Sequence, residues 1–332
     1  MKQRLALLVF LVLLCLHAST VIAQPGDKGG EVAVPRSYSA PKMTASESLQ
    51  AILEKAVDET VPMFGEGNFK PNEYAATLID LSDPANISHA SRNGEMQLYT
   101  ASVVKMFYMA ALERQLEDGK ITMTPELERG LKDMIVDSSN EATQYVLDVV
   151  TGTSSGAELP IKQFEAWQYK RNRVNRFFAS MGYTNININQ KTFCEDAYGI
   201  EQQSRKYKGQ NRNMLTTNAT ARLLAEIVLG RTNTPQRTAK MMELMKRDPF
   251  AATTDQEDQA HGFTGLALIE RKLTSAKLWS KAGWTSKSRH DAAYIETADG
   301  RKFVIVIFTE GHAKEAKFIP TIAGKILDSL KR

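Results

Sequence analysis

The chain has 332 residues and a formal charge of +4, from 42 Lys and Arg against 38 Asp and Glu. Loss of Lys2 and Arg4 with an N-terminal leader brings the charge to about +2, too near neutrality for a dedicated nucleic-acid binder. With two cysteines, one of them inside that leader, the mature chain has no intrachain disulfide to hold it and depends on a buried core.

Residues 1–23 read as a secretory signal peptide. Lys2 and Arg4 form a basic start, residues 5–16 are apolar, and Val21-Ile22-Ala23 resembles a cleavage site. The apolar run of about 12 residues is short of the roughly 20 that cross a bilayer, so a cleaved leader, a periplasmic or secreted protein and no stable membrane span are expected. Acylation at Cys15 is the competing reading, disfavoured by Leu14 where lipoprotein signals prefer a small residue. Cys194 then remains alone. His89, His261, His290 and His312 are scattered without ligand spacing, so neither a metal site nor a cofactor is expected.

Residues 24–43, rich in Gly, Pro and Ser, read as a flexible linker. Thr44-Ala45-Ser46-Glu47 resembles a capping box, and Leu49, Ile52, Leu53, Ala56 and Val57 follow at helical spacing. Residues 74–81 read as a strand, 83–86 as a turn, and a second strand is expected before residue 102. Residues 102–229 are mostly helical in pattern, with breaks near Gly119, 152–160 and 185–213; a break as long as the last is usually functional or mobile. The basic run at 170–176 reads as the wet face of an amphipathic helix. Strands return at 278–283, 292–296 and 302–309, with a hairpin turn at Ala298-Asp299-Gly300, and a helix at 321–331 closes the chain. Residues 44–332 thus form one α+β domain: an antiparallel sheet flanked by N- and C-terminal helices, with an inserted all-α part at about 102–230.

The stretch Leu98-Tyr99-Thr100-Ala101-Ser102-Val103-Val104-Lys105-Met106-Phe107 carries the chemistry. Residues three apart on a helix share a face, so the Lys105 amine can reach the Ser102 hydroxyl. A serine attacks only when a neighbour takes its proton. A lysine can do so if burial lowers its pKa from about 10.4 toward neutrality, and the apolar residues around the pair supply that burial. The spacing alone is weak, since Ser39-Ala40-Pro41-Lys42 repeats it in a Pro-rich segment and Ser102 alone reads as a helix cap.

Two further segments supply context: Asp137-Ser138-Ser139-Asn140, and Ser280-Lys281-Ala282-Gly283-Trp284-Thr285 at a strand end. In this order the three resemble the S-x-x-K, S-D-N and K-T-G set of class A β-lactamases and penicillin-binding proteins, over roughly residues 45–330. The resemblance implies a β-lactamase/transpeptidase-like fold and a serine hydrolase with an acyl-enzyme on Ser102. Lys105 would be the proton acceptor, Ser138 the relay to the leaving nitrogen, and Asn140 the holder of the substrate amide. The N–H groups of Ser102 and Trp284, beside Gly283, would form the oxyanion hole. Lys281 and Arg289 would attract a substrate carboxylate, with Arg289 matched across one deletion.

The chain departs from that family in several places. Ala282 replaces a threonine, Trp284 is bulky beside the expected substrate, and Ser139 replaces an aspartate. No Glu-Pro-Glu-Leu-Asn-like segment supplies the Ω-loop glutamate that activates water in the family. The equivalent position falls near Thr192, leaving Glu195 as the possible deacylation base, with Glu201 the next acid and a surface carboxylate the commoner role for each. The expected substrate is a β-lactam, which would link the protein to antibiotic resistance, or a peptidoglycan-like peptide handled by a monomer. The alternatives are a penicillin-binding or DD-peptidase-like hydrolase and a non-catalytic periplasmic binding module; an export signal argues against a glutaminase of the same fold.

Overall fold

The computed structural model describes residues 31–330 except 36 and 66–68, so the expected leader, Cys15 and the first part of the linker lie outside the described residues. The first strands and helices are β1 (Thr44–Ala45), α1 (Glu47–Asp58), β2 (Tyr74–Asp80), β3 (Ser88–Arg92) and β4 (Leu98–Tyr99). The helical block holds α2 (Val104–Glu117), α3 (Pro125–Ile135), α4 (Asn140–Thr151), α5 (Ile161–Arg171), α6 (Arg173–Ser180) and α7 (Ile200–Arg205). It continues through β5 (Met214–Leu215), α8 (Thr217–Val228), α9 (Pro235–Met245) and β6 (Lys246–Arg247). The chain closes with α10 (Thr264–Glu270), β7 (Lys277–Trp284), β8 (Ser288–Glu296), β9 (Lys302–Glu310) and α11 (Phe318–Leu330).

Seven strands form one sheet in the order β1-β3-β2-β9-β8-β7-β6, antiparallel but for the β1–β3 pair. Successive side chains of a strand point to opposite faces. Accordingly Val304, Val306 and Phe308 of β9 enter a core shared with the helical block, while Phe303, Ile305 and Ile307 enter a second core under α1, α10 and α11. Both faces are covered, which explains why 303–308 is an unbroken apolar run rather than an alternating one. α2 is enclosed on all sides: every residue from Val104 to Leu116 is buried. It is the axis of the helical block, as its lack of a polar face requires.

Three expectations change. The helix of the capping-box segment begins two residues later than the motif places it: Ser46 is its cap, accepting from Leu49 N–H at 3.3 Å. Residues 31–35 and 37–43 do not hang free as a linker. Val32 is buried, Glu31 pairs with Arg176 at 2.7 Å, and Tyr38 Oη donates to Glu226 at 2.8 Å, so this segment straps the helical block. The basic run at 170–176 is not one wet face: the helix breaks at Asn172, and Arg171 and Arg173 point inward and are buried.

Candidate active site

Ser102 lies in a 3₁₀ turn, Ala101–Val103, that leads from β4 into α2. Two features hold this entry. β4 pairs with β5 through Leu98↔Leu215 and Tyr99↔Met214, and His290 Nε2 donates to Tyr99 O at 2.6 Å while its Nδ1 accepts from Thr309 N–H at 3.2 Å. Burial lowers the His290 pKa to about 4, so the ring stays neutral in the one tautomer that both bonds require. Ala101 adopts φ +44° and Ser138 φ +58°. Non-glycine residues in that region cost of order 1–3 kcal/mol each, and such strain collects at functional sites.

The α3–α4 loop brings Ser138 beside both lysines. Ser138 Oγ stands 3.3 Å from Lys105 Nζ and 3.0 Å from Lys281 Nζ. Lys105 Nζ also donates to Ser138 O at 2.5 Å and Asn140 Oδ1 at 3.0 Å. Ser102 Oγ makes no hydrogen bond among the described residues and is half-exposed, free to meet a ligand. Burial lowers the Lys105 pKa to about 7, against partial opposition from Glu141 and Cys194. Lys281 is fully buried; that burial, then the charges of Lys105 and Arg247, hold its pKa well below the usual ammonium range. Lys281 Nζ donates to Ser138 Oγ, so Lys105, Ser138 and Lys281 form one continuous hydrogen-bonded chain.

β7 passes directly over the serine. A Cβ built on Gly283 would lie 2.6 Å from Ser102 N and 2.9 Å from Val103 N, so only glycine allows this approach. Thr285 N–H donates to Ser288 O across the β7–β8 turn. Successive strand amides point to opposite edges, which turns Trp284 N–H away from β8 toward the edge that β6 covers only at residues 278 and 279. The Trp284 indole is 46% exposed and leans on Phe263, with centroids 5.6 Å apart. Arg289, opposite Trp284 in register, is buried: its Nη2 donates to Glu257 Oε2 at 2.5 Å and Gly262 O at 2.7 Å, and its guanidinium lies 4.2 Å over the Phe263 ring.

The segment between α6 and α8 is tied to the fold by buried hydrogen bonds. Asn213 Oδ1 accepts from the Asn189 and Gln190 N–H groups at 3.0 and 2.9 Å, and residues 189–192 are buried. Glu201 is not a surface carboxylate. It is buried, paired bidentately with Arg171 at 2.7 and 2.8 Å and with Lys191 at 3.5 Å. Burial alone would raise its pKa, but the Arg171 and Lys191 charges outweigh that and lower it. Glu195 is exposed, with no hydrogen bond among the described residues. The loop side chain that reaches Asn140 is Cys194, whose Sγ accepts from Asn140 Nδ2 at 3.4 Å.

Sequence reasoning missed Gln259. Its Oε1 accepts from Lys281 Nζ at 2.5 Å and Ala282 N–H at 3.2 Å, while its Nε2 donates to Val136 O at 2.8 Å, two residues before Ser138. One amide therefore fixes β7 against the α3–α4 loop. Arg247 reinforces the junction through Ile135 O at 3.0 Å. Both residues lie outside any periodic segment or motif, so the sequence carries no signal for them.

A model described as the beta-lactamase enzyme family matches residues 53–330. Among solved structures, a β-lactamase from Sphaerobacter thermophilus superposes with a TM-score of 0.61 at 18% identity, covering 84% of this chain and 98% of that one. PBP-A gives 0.58 at 15% identity, with 88% and 99% covered. TLA-3 extended-spectrum β-lactamase gives 0.59 at 15% identity, with 85% and 100% covered. No curated protein sequence matches the chain.

Proposed function

The chain belongs to the β-lactamase enzyme family, and on that premise we propose that it is a serine hydrolase whose nucleophile is Ser102. The observation that carries this reading is the Ser138 hydroxyl held between two buried lysines, one of them tuned to about 7. Neutral Lys105 keeps two protons for Ser138 O and Asn140 Oδ1, which leaves its lone pair for the Ser102 proton. Ser102 Oγ then bonds to the carbonyl carbon of an amide, and the carbonyl oxygen gains charge facing the Ser102 and Trp284 N–H groups. As the C–N bond breaks, the leaving nitrogen takes the Ser138 hydroxyl proton, which the Lys105 ammonium replaces. Water next hydrolyses the Ser102 ester, releasing the acid and restoring the hydroxyl.

A penicillin-binding style of action is favoured over rapid turnover. No carboxylate of the 181–213 loop bonds to Ser102, Lys105 or Asn140 among the described residues: Glu201 is locked to Arg171, Asp196 pairs with Arg205, Glu195 faces solvent, and Cys194 occupies the contact with Asn140. PBP-A, a structural neighbour, is known as an acyl-enzyme complex with penicillin G in one of its variants. An acyl-enzyme here should form and persist. The expected setting is the periplasm or the exterior, after cleavage of the leader.

The test is intact-protein mass spectrometry after incubation with a fluorescent penicillin and, separately, with a neutral aryl ester. The reading expects an adduct on Ser102, lost in Ser102→Ala, with nitrocefin turnover slow beside labelling. Absence of an adduct from both probes at millimolar concentration would leave the non-catalytic binding module as the better account.

A further inference from the structure

The acyl-enzyme reading leaves open what lies on the leaving-group side of the scissile bond, where the third motif meets the cleft. The expectation from sequence is a pair of cations, Lys281 and Arg289, receiving a carboxylate. The structure arranges both differently. Lys281 Nζ is fully buried, and its contacts are Ser138 Oγ, Gln259 Oε1 and Ala282 O at 3.0, 2.5 and 2.8 Å. Three oxygens saturate an ammonium and more than saturate an amine, so no donor remains for an incoming anion.

Arg289 is engaged on one side, its Nη1 carrying no hydrogen bond among the described residues. Its Nη2 is shared between Glu257 Oε2 and Gly262 O, one face of its guanidinium is covered by Phe263, and its Nε is shut away from solvent without a partner among the described residues. The charge that a carboxylate would meet there is already paired with the carboxylate of Glu257, whose side chain is 60% exposed. At residue 282, where the family resemblance expects a threonine hydroxyl, Ala282 offers only a methyl group, and its N–H is taken by Gln259. The apolar surface at this end is the half-exposed indole of Trp284, backed by Phe263. An anion entering here would have to compete with Glu257 for Arg289, whereas an uncharged apolar or aryl group would bury area on the indole without breaking an ion pair.

We propose that the cleft is selective for acyl donors without a carboxylate beside the scissile bond, esters or amides with a neutral apolar or aryl leaving side, and that Glu257 sets this preference by closing Arg289.

This rests on Ser102 acylation, and the experiment separates the two. The full chain is acylated with benzylpenicillin and with its methyl ester, and second-order rates are read from the Ser102 adduct by intact mass. The ester should react at least as fast as the acid. In Glu257→Gln, a substitution at an exposed side chain whose folding is checked by thermal melting, the acid-to-ester ratio should rise about tenfold as Arg289 is released for a charge-assisted bond. An acid that reacts tenfold faster than the ester in the unaltered protein, or a ratio unmoved by Glu257→Gln, overturns the selectivity while leaving the nucleophile intact. Failure of both compounds to form any adduct overturns the acyl-enzyme reading and the selectivity with it.

Discussion

Replacing Lys105 by methionine tests the electrostatic centre of the site in a way that catalysis alone does not. Lys105 is fully buried, and burial lowers its pKa from 10.5 to about 7. Between those two values the unfolded chain binds more protons at this residue than the folded one, so stability rises with pH over that window and the full penalty applies below pH 7. The span corresponds to about 5 kcal/mol. Methionine fills similar volume without the charge, but it leaves Ser138 O and Asn140 Oδ1 without their donor, a cost of about 1 kcal/mol or more each. The variant should therefore be more stable than the parent by about 2 kcal/mol at pH 6 and lose that advantage by pH 10, where the lysine of the parent is neutral in the folded state, still mostly protonated in the unfolded state, and the remaining penalty is under about 1 kcal/mol.

The assay is urea unfolding of both proteins at several pH values between 6 and 10. The robust quantity is the change in the difference, about 4 kcal/mol across that range by linkage. Acylation of the parent by a neutral ester should show an acidic limb near pH 7, and the methionine variant should not acylate. A stability difference that is flat with pH would refute the claim that a protonated lysine is held at a desolvated position. So would a parent acylation rate that is flat from pH 5.5 to 8.5.

Three other outcomes follow from single contacts. Gly283→Ala places a methyl carbon against the Ser102 and Val103 amides, backbone atoms that cannot swing aside; ester acylation should fall by about a hundredfold, as when an oxyanion donor is lost, and a loss below threefold would contradict the close passage of β7. Gln259→Leu deprives Lys281, Ala282 N–H and Val136 O of their shared partner; unfolding in urea should show a loss of about 2–4 kcal/mol, and acylation should slow, whereas an unchanged midpoint and rate would remove Gln259 from the site. Glu201→Gln leaves the buried Arg171 poorly balanced; a loss of about 3 kcal/mol is expected with unchanged decay of the acyl-enzyme, and a decay slowed tenfold would instead make Glu201 the deacylating base.

The sheet and the helical block were legible because their signals are local. The β9 run of Phe303 to Phe308, the hairpin at Gly300 and the apolar encirclement of α2 each rest on residues within one element. β8 begins at Ser288 rather than near Ala292 because Arg289 and Asp291 are buried by partners in other elements, Glu257 and Thr264, which no strand pattern records. The same reason hides Arg171. Its guanidinium is inside the protein because Glu201, thirty residues later, folds back onto it. A charge run reads as solvated until its counter-charges are known.

The site divides along a similar line. Ser102, Lys105, Ser138, Asn140, Lys281 and Gly283 lie in three short segments whose internal spacing places each side chain, and the structure gathers those segments around Ser138. Their behaviour, though, is set by residues without a pattern. Lys281 can present an ammonium to a ligand only if something else leaves it a free proton, and Gln259, from a loop, takes the acceptor position that decides this. Arg289 can clamp a carboxylate only if no carboxylate is already there, and Glu257, from the same loop, supplies one. On the selectivity proposed above, the 246–263 segment sets which substrates the three segments can use. A motif read from sequence locates the reacting atoms, while its charge state and vacancy belong to whichever loop folds over it.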